Sequence, residues 1–326
     1  MKRFRDILCV VEPGDTSKDA LSRAVALAQN NQAGLTVVSV ADTVKAGFGM
    51  PKGGPISADL QVALVNMHEQ GLEALFEAYR KQIPIETKVL VGVPYLEVVR
   101  QVLRNGHDLV IKMPENPEWL DRLFGSDDMH LMRKCPCPVW MIKPQSATSY
   151  RCILAAVDAD NDHPPAELQT RHALNLQVLE MASSLALSEF AQLHIVNVWD
   201  AIGESAMRGA FMHMPEEKII AYLEEVRSQH AASMDDLIHE VTGKLGQAAV
   251  GYLEPQIHLL KGWARKEVPA LATKIEADLV VMGTVGRTGI PGVFMGNTAE
   301  TILNQLDCSV LAVKPPGFVT PVTLVD

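Results

Sequence analysis

A glycine-rich loop near the end of the chain has the residue types and spacing that could do chemistry. Five glycines fall within fourteen positions, from Gly283 to Gly296. The loop follows an apolar run that ends at Met282 and precedes a helix-like run that begins at Ala299. Glycines let a backbone approach an anion closely, and the free N–H groups at the start of a helix attract it. The pattern therefore predicts a phosphate site, with a flexible loop as the competing interpretation.

Other chemical motifs in the chain are absent or weak. The loop has neither the Walker lysine nor the Rossmann glycine spacing, and no zinc-protease, nucleophile-elbow or kinase signature occurs. The segment Cys135-Pro-Cys137 is spaced C-x-C, which favours a structural pair at a strand start over a redox or metal centre. Asp158 and Asp160 share one face of an extended segment and could hold a metal with phosphate, although a solvated loop pair is favoured.

Length, composition and charge limit the classes of protein to which the chain can belong. A length of 326 residues suggests two domains, and 48% hydrophobic residues with only 5% aromatics suit buried parallel strands covered by helices. The net charge of −10 argues against direct binding of nucleic acid. The apolar runs are too short for a membrane span, the first residues predict no signal peptide, and the five cysteines suit a reduced cytoplasm.

The chain is a tandem repeat in which the same strand patterns recur in the same order. Strands that alternate with helices predict parallel sheets with helices on both faces. A polar, proline-started segment at 144–149 separates the halves, so we predict domains at 1–145 and 151–315 with a tail at 316–326. The predicted strand segments are Asp6–Glu12, Leu35–Val40, Glu86–Gly92, His107–Lys112 and Cys137–Pro144, then Cys152–Asp158, Leu193–Trp199, Gln256–Gly262, Ala277–Met282 and Cys308–Pro315.

Two stretches, 43–58 and 200–216, are rich in glycine, proline and methionine and are predicted to be long loops. They lead into predicted helices near 59–81 and 217–244. Met207, Met212 and Met214 in the second loop suggest an adaptable apolar lid or interface, and a core contact is equally favoured.

The glycine spacing resembles that of the universal stress protein family. ATP-binding members carry Gly-x2-Gly-x9-Gly followed by Ser or Thr; Gly283, Gly286 and Gly296 keep this spacing. Asn297 replaces the hydroxyl residue, which follows one position later as Thr298. The resemblance covers nearly the whole chain as a tandem pair.

The resemblance implies an α/β fold of two tandem open parallel five-stranded sheets, each with strand order 3-2-1-4-5 and helices on both faces. It also implies an intramolecular pseudodimer packed through the fifth strands, with a homodimer as a further option and no membrane partner. The implied role is a cytoplasmic one in stress survival, including resistance to DNA damage.

The resemblance further implies ATP, with or without Mg²⁺, in the second repeat only. Asp158, at the end of strand one, would meet the adenine or ribose edge. The other residues implied at the site are Ala156 and Val157 at the base pocket, Val198 at the adenine, Met282 and Gly283 at the ribose, and Gly286, Arg287, Gly296, Asn297, Thr298 and Ala299 at the phosphates.

The first repeat departs from this pattern. Pro114, Glu115 and Pro117 fill the corresponding loop, where proline removes an N–H donor and glutamate repels phosphate. Lys112 precedes them, and Glu12 takes the place of Asp158. We expect no triphosphate there: the cleft is either empty or takes a less anionic ligand.

The function predicted from these patterns is a nucleotide-binding stress protein without enzymatic turnover, because no residue near the loop is identifiable as a base that positions water. One alternative is an enzyme that slowly hydrolyses ATP or phosphorylates itself on Thr284, Thr288 or Thr298. A second alternative is a binder of small apolar ligands that uses the first-domain cleft and the methionine-rich loops.

Overall fold

A computed structural model describes residues 4–12, 17–44, 55–115, 127–144, 149–160, 163–209, 212, 214–245, 247–284 and 295–324. Within these residues the chain forms two compact units. The first contains the described residues up to 144 together with those from Asp307 onward. The second contains the described residues from Ser149 to Thr284 together with Met295–Leu306.

The first unit contains a parallel sheet whose strands follow the order β3-β2-β1-β4-β5. The central strands β1 and β4 pair in parallel with Val10 opposite Lys112, and both are apolar and buried along most of their length, as expected for a sheet covered on both faces. The elements are β1 Asp6–Val10, α1 Lys18–Asn31, β2 Gly34–Ala41, α2 Pro55–Phe76, β3 Glu86–Val91, α3 Pro94–Asn105, β4 Leu109–Lys112, α4 Asp127–Lys134 and β5 Val139–Met141.

The second unit repeats this arrangement, with strand order β9-β6-β7-β8. Ala156 of β6 lies opposite both Val196 of β7 and Met282 of β9, so the strands that precede the predicted site are in register. The elements are β6 Cys152–Val157, α5 Pro165–Glu189, β7 Gln192–Trp199, α6 Glu204–Arg208, α7 Glu216–Lys244, α8 Gln247–Leu253, β8 Gln256–Lys261, α9 Ala264–Lys274, β9 Leu279–Gly283 and α10 Asn297–Leu303.

The last strand, β10 at Ser309–Val313, lies in the first unit although it ends the second repeat. It pairs antiparallel with β5, with Leu311 opposite Trp140, and both side chains are fully buried. This is the fifth-strand pairing that the resemblance implied, and it covers an edge that would otherwise be free to pair with another chain.

The two repeats share a turn at the end of their third strand, and it explains two glycines. Gly92 and Gly262 have φ angles of +150° and +142°, which side chains rarely adopt. A Cβ at Gly92 would lie 2.8 Å from Cγ of Glu97, and one at Gly262 would lie 2.9 Å from a carboxylate oxygen of Glu267. Repeated sequence therefore produces repeated backbone geometry.

The structure corrects two details of the sequence interpretation. The segment 200–216 is not entirely a loop, because α6 forms within it. The helix predicted near 59–81 runs from Pro55 to Phe76 and ends earlier than expected, in a turn closed by hydrogen bonds back to Phe76. None of the described helices is long and apolar enough to cross a membrane.

Candidate functional site

The candidate site is an open cleft of about 1180 Å³ in the second unit, at the carboxyl ends of β6, β7 and β8. Open parallel sheets bind ligands at the carboxyl ends of their strands. Three residues implied by the resemblance line it: Asp158, Val198 and Thr298. The fold therefore brings together residues that lie up to 140 positions apart in the chain, Asp158 and Thr298.

Asp158 is held in place by contacts from α5. Its carboxylate forms an ion pair with Arg171, and its backbone N–H donates to Oδ1 of Asn175 at 3.0 Å. Asn175 in turn donates from Nδ2 to the backbone oxygen of Asp158 at 2.6 Å. The carboxylate remains about half exposed, at 55% of its side chain, so it can still accept a hydrogen bond from a ligand hydroxyl.

The described residues on either side of the glycine-rich loop are joined by a hydrogen bond. Thr284, after β9, is buried, and its backbone oxygen accepts a 3.2 Å hydrogen bond from the N–H of Gly296. Gly296 precedes α10, a helix of seven residues whose first turn has no side-chain cap. Thr284 and Gly296 are thereby held together, two positions before Thr298, which lines the cleft.

Gly283 has a packing role that the phosphate interpretation did not foresee. A Cβ at this position would lie 2.6 Å from Cδ2 of Leu174 on α5, closer than real side chains approach. Its φ angle is not positive, so a Cβ here would be opposed by packing and not by backbone strain, and the Leu174 side chain would have to shift to admit it.

The remaining implied residues divide by position. Val157, Met282 and Ala299 are buried and Ala156 is half-buried, so they form the floor of the region and do not line the cleft. Asn297 and Thr298 are exposed at the start of α10. Gly286 and Arg287, with Thr288, lie outside the described residues.

Sequence reasoning missed an aromatic wall of the cleft, formed by Trp199, Tyr222, His230 and Trp263. The hydroxyl of Tyr222 donates to the backbone oxygen of Ile202 at 2.9 Å, which joins α7 to the loop after β7. Trp263 is half exposed, with the charged ends of Arg265 and Lys266 about 5 Å from its ring. Trp199 ends β7, and Trp263 comes shortly after the end of β8. These positions at strand ends could have identified both as candidate site residues from the sequence.

The equivalent place in the first unit is occupied by an internal ion pair. Nζ of Lys112, at the end of β4, donates to Oδ1 of Asp128 at 2.7 Å, and Oδ2 of Asp128 accepts the N–H of Glu115 at 2.8 Å. Burial alone would lower the pKa of Lys112, but the charges of Asp128 and Glu115 and the hydrogen bond to Asp128 raise it above its ordinary value. The carboxylate of Asp128 thus binds the Lys112 ammonium and the Glu115 N–H, two groups that a bound phosphate would need.

The described residues contain no cluster of three or more His, Cys, Asp or Glu that could hold a metal ion. They do contain a histidine pair on adjacent strands of the second unit. Nδ1 of His194 lies 2.9 Å from Nε2 of His258, and the rings are parallel within 5°. Burial lowers the pKa of both, and each is lowered further by a neighbour, His258 in the case of His194 and Lys274 in the case of His258.

The lowered pKa values of His194 and His258 predict that the free energy of unfolding falls in mild acid. The unfolded chain takes up protons on these rings below pH 6.5, whereas the folded chain resists them, so the free energy of unfolding should fall as the pH drops below that value. His258→Gln should reduce the loss between about pH 7.5 and pH 5.5, measured by urea unfolding. His239→Gln, on an exposed face of α7, is the control. An unchanged pH dependence in His258→Gln would contradict this role.

Comparison with known proteins gives the same result for both halves of the chain. A model of the universal stress protein family matches residues 3–143 and 149–314. Universal stress protein E of Escherichia coli K12 is 30% identical over 343 residues, which span 100% of this chain and 99% of that protein. The universal stress protein E homolog of Haemophilus influenzae is 27% identical over 321 residues, covering 96% of this chain and 98% of that one.

Two solved structures match across nearly the whole length. A putative universal stress protein from Pseudomonas aeruginosa UCBPP-PA14 is 26% identical, with a TM-score of 0.65 over 96% of this chain and 94% of that chain. A universal stress protein from Archaeoglobus fulgidus DSM 4304 is 16% identical, with a TM-score of 0.63 over 95% and 98%. The second likeness concerns the fold alone.

Proposed function

The chain belongs to the universal stress protein family, and we propose that it is a cytoplasmic stress-response protein that binds one ATP, in its second repeat. Binding, and not turnover, is the proposed activity. The observation that carries the proposal is the cleft that brings Asp158, Val198 and Thr298 together at the carboxyl ends of the strands. The proposal includes survival of DNA damage and a pseudodimer of the two repeats.

The geometry supports a nucleotide in three ways. The cleft volume of about 1180 Å³ is ample for a small-molecule ligand. The half-exposed carboxylate of Asp158 is an acceptor for ribose hydroxyls, and the aromatic wall offers rings for stacking. Finally, Thr284 and Gly296, the described residues on either side of the glycine-rich loop, are joined by a hydrogen bond two positions before Thr298, which supports the proposed phosphate contacts near this residue.

The first unit supports the stoichiometry of one. Asp128 and Lys112 pair with each other in the first unit, so a triphosphate bound there would have to displace a buried carboxylate. Glu12 corresponds to Asp158, and its backbone N–H donates to Oγ of Ser17 at 3.0 Å. These two positions therefore form a matched pair for mutation.

Calorimetric titration with ATP tests the proposal. We expect one site per chain, weakened about tenfold or more by Asp158→Ala, because a hydrogen bond to a charged group contributes about 1.5–3 kcal/mol. Glu12→Ala is the matched control and should bind as the wild type does. Gly286→Glu should abolish binding in a folded chain, because it adds bulk and negative charge to the loop. Two equivalent sites, or binding unaffected by Asp158→Ala and Gly286→Glu, would contradict the proposal.

One observation keeps an enzymatic alternative in view. Thr298 is exposed and lines the cleft, whereas Thr284 is buried, so Thr298 is the better placed of the two to accept a phosphoryl group. A single-turnover assay with ATP labelled on its terminal phosphate separates the two functions. Transfer of the label to the wild-type chain, but not to Thr298→Val, would favour autophosphorylation. Release of labelled phosphate into solution would favour hydrolysis.

A further inference from the structure

Trp263, in the wall of the cleft, is not explained by packing. It follows Gly262, whose turn is repeated at Gly92, so Val93 is the equivalent residue of the first unit. The two residues are exposed to a similar extent, 51% for Trp263 and 46% for Val93. The turn and the helix that follows it therefore form without an aromatic ring, and the large apolar surface of Trp263 is left for another contact.

The position of Trp263 in the strand order places it beside the proposed base. Asp158 follows β6, Val198 lies in β7 and Trp263 follows β8, and these three strands are neighbours. Neighbouring strands lie about 4.8 Å apart. A ribose at Asp158 and a base at Val198 therefore lead toward the indole of Trp263. Arg265 and Lys266, whose charged groups lie 4.8 and 5.0 Å from the ring centroid, are exposed side chains, and Trp263 remains half exposed beside them.

A histidine on α7 lines the same part of the cleft. The ring of His230 lies 6.4 Å from that of Trp199, the last residue of β7. Its Nδ1 is buried and has no hydrogen-bond partner among the described residues. His68, on the corresponding helix of the first unit, differs, because its Nδ1 bonds to Oγ of Ser39 at 2.6 Å. His68 thus has a structural partner at this nitrogen, whereas His230 has none in the part of the chain that the structure describes.

The unpartnered Nδ1 decides which nitrogen of the neutral His230 ring carries the proton. A buried N–H without an acceptor is rare and costly, so the proton lies on Nε2. Because Nδ1 is buried, Nε2 is the nitrogen available to a ligand. His230 therefore presents an N–H donor to a cleft whose nearby charged groups, Asp158, Asp160 and Glu225, are acceptors.

We propose that Trp263 and His230 bind the base of the nucleotide and select purines over pyrimidines. The indole of Trp263 stacks on the base, and the Nε2–H of His230 donates to a ring nitrogen of the base. A purine covers more of the indole than a pyrimidine does, and its second ring adds acceptor nitrogens that pyrimidines lack. This inference rests on the proposed function, because it concerns the base of a nucleotide held in the same cleft.

Calorimetric titration of the full-length chain with ATP, CTP and inorganic triphosphate tests the stacking. We expect ATP to bind about tenfold more tightly than CTP, and Trp263→Ala to weaken ATP binding about tenfold, the range typical of a base stacked on an aromatic ring. The affinity for inorganic triphosphate, which has no base, should not change in Trp263→Ala. Val93→Ala, at the equivalent and similarly exposed position of the first unit, is the matched control and should bind ATP as the wild type does.

Two substitutions of His230 test the donor. The amide nitrogen of Gln can take the place of Nε2, whereas that of Asn takes the place of Nδ1. His230→Gln should therefore keep an ATP affinity close to that of the wild type. His230→Asn should weaken ATP binding about threefold to tenfold, the loss typical of one neutral hydrogen bond. His239→Asn, on an exposed face of the same helix, is the control and should change nothing.

The outcomes separate this inference from the proposed function. Circular dichroism verifies that each variant folds. If the wild-type chain binds ATP and both Trp263→Ala and His230→Asn bind it equally well, the base lies elsewhere in the cleft, and only this inference is overturned. Equal affinity of the wild type for ATP and CTP would also overturn it, as would equal losses in His230→Gln and His230→Asn. A wild-type chain that binds no nucleotide would overturn the proposed function and this inference together.

Discussion

Asp128→Ala should destabilise the first unit by about 3–5 kcal/mol, the largest loss that we expect from a single substitution. The side chains of Lys112 and Asp128 are only 7% and 4% exposed, and their ion pair measures 2.7 Å. Removing the carboxylate leaves the Lys112 ammonium buried with its principal partner gone. It also removes the acceptor of the Glu115 N–H.

The measurement is native-state hydrogen exchange at the amides of β1 and β4, which reports the opening free energy of this unit separately. Glu77→Ala is the matched control in the same unit. Its ion pair with Arg80, at 3.2 Å, is exposed at 79% and 55% of the two side chains, so we expect a loss below about 1 kcal/mol.

A double variant distinguishes the cost of an unpaired charge from the value of the pair. Lys112→Met combined with Asp128→Leu removes both charges and keeps apolar volume, so most of the stability lost in Asp128→Ala should return. If the double variant is as unstable as Asp128→Ala, the pair itself stabilises the unit. If Asp128→Ala costs no more than Glu77→Ala, the ion pair does not hold this region together.

The strands could be predicted from the sequence because each is marked by a short run of neighbouring residues. Buried parallel strands appear as continuous apolar runs. The predicted segment Cys152–Asp158 differs by one residue from the observed Cys152–Val157, and Gln256–Gly262 differs by one from Gln256–Lys261. The strand order came from the resemblance, and the pairing observed within each unit agrees with it.

The contacts that shape the site could not be predicted, because they join distant parts of the chain. Nothing in the spacing of Arg171 and Asp158 shows that they pair, and α5 must first pack on β6 for them to meet. The same packing gives Gly283 its role, since a Cβ there would displace the side chain of Leu174. Helix packing accounts for Gly283, the first glycine of the predicted phosphate loop, and its phosphate contact stays a prediction.

The roles of the implied site residues and the domain boundaries stay predictions. Asp158, Val198 and Thr298 line a common cleft, which supports their proposed roles without testing them. Gly286 and Arg287 lie outside the described residues, so their proposed contacts depend on the titrations. The boundary proposed at residue 315 also awaits a test, because β10 and the residues after it belong to the compact unit of the first repeat.

A separately produced second repeat, residues 151–326, should not remain a monomer. It would carry β10 without β5, the strand that Val310, Leu311 and Ala312 pair with in the full chain. All three side chains are fully buried there. An apolar edge strand with unpaired backbone groups is a template for another strand, so a second copy of β10 should take the place of β5.

Sedimentation velocity at micromolar concentration should show a dimer or larger species for residues 151–326, whereas the intact chain, with β5 present, is the reference. Adding residues 1–145 should convert this species into a one-to-one complex, because β5 restores the antiparallel partner of β10 and the buried surface of Trp140. A well-folded monomer that ignores residues 1–145 would show that β10 does not need β5. The pairing of the two fifth strands would then be a contact that the fold tolerates and not one that holds the repeats together.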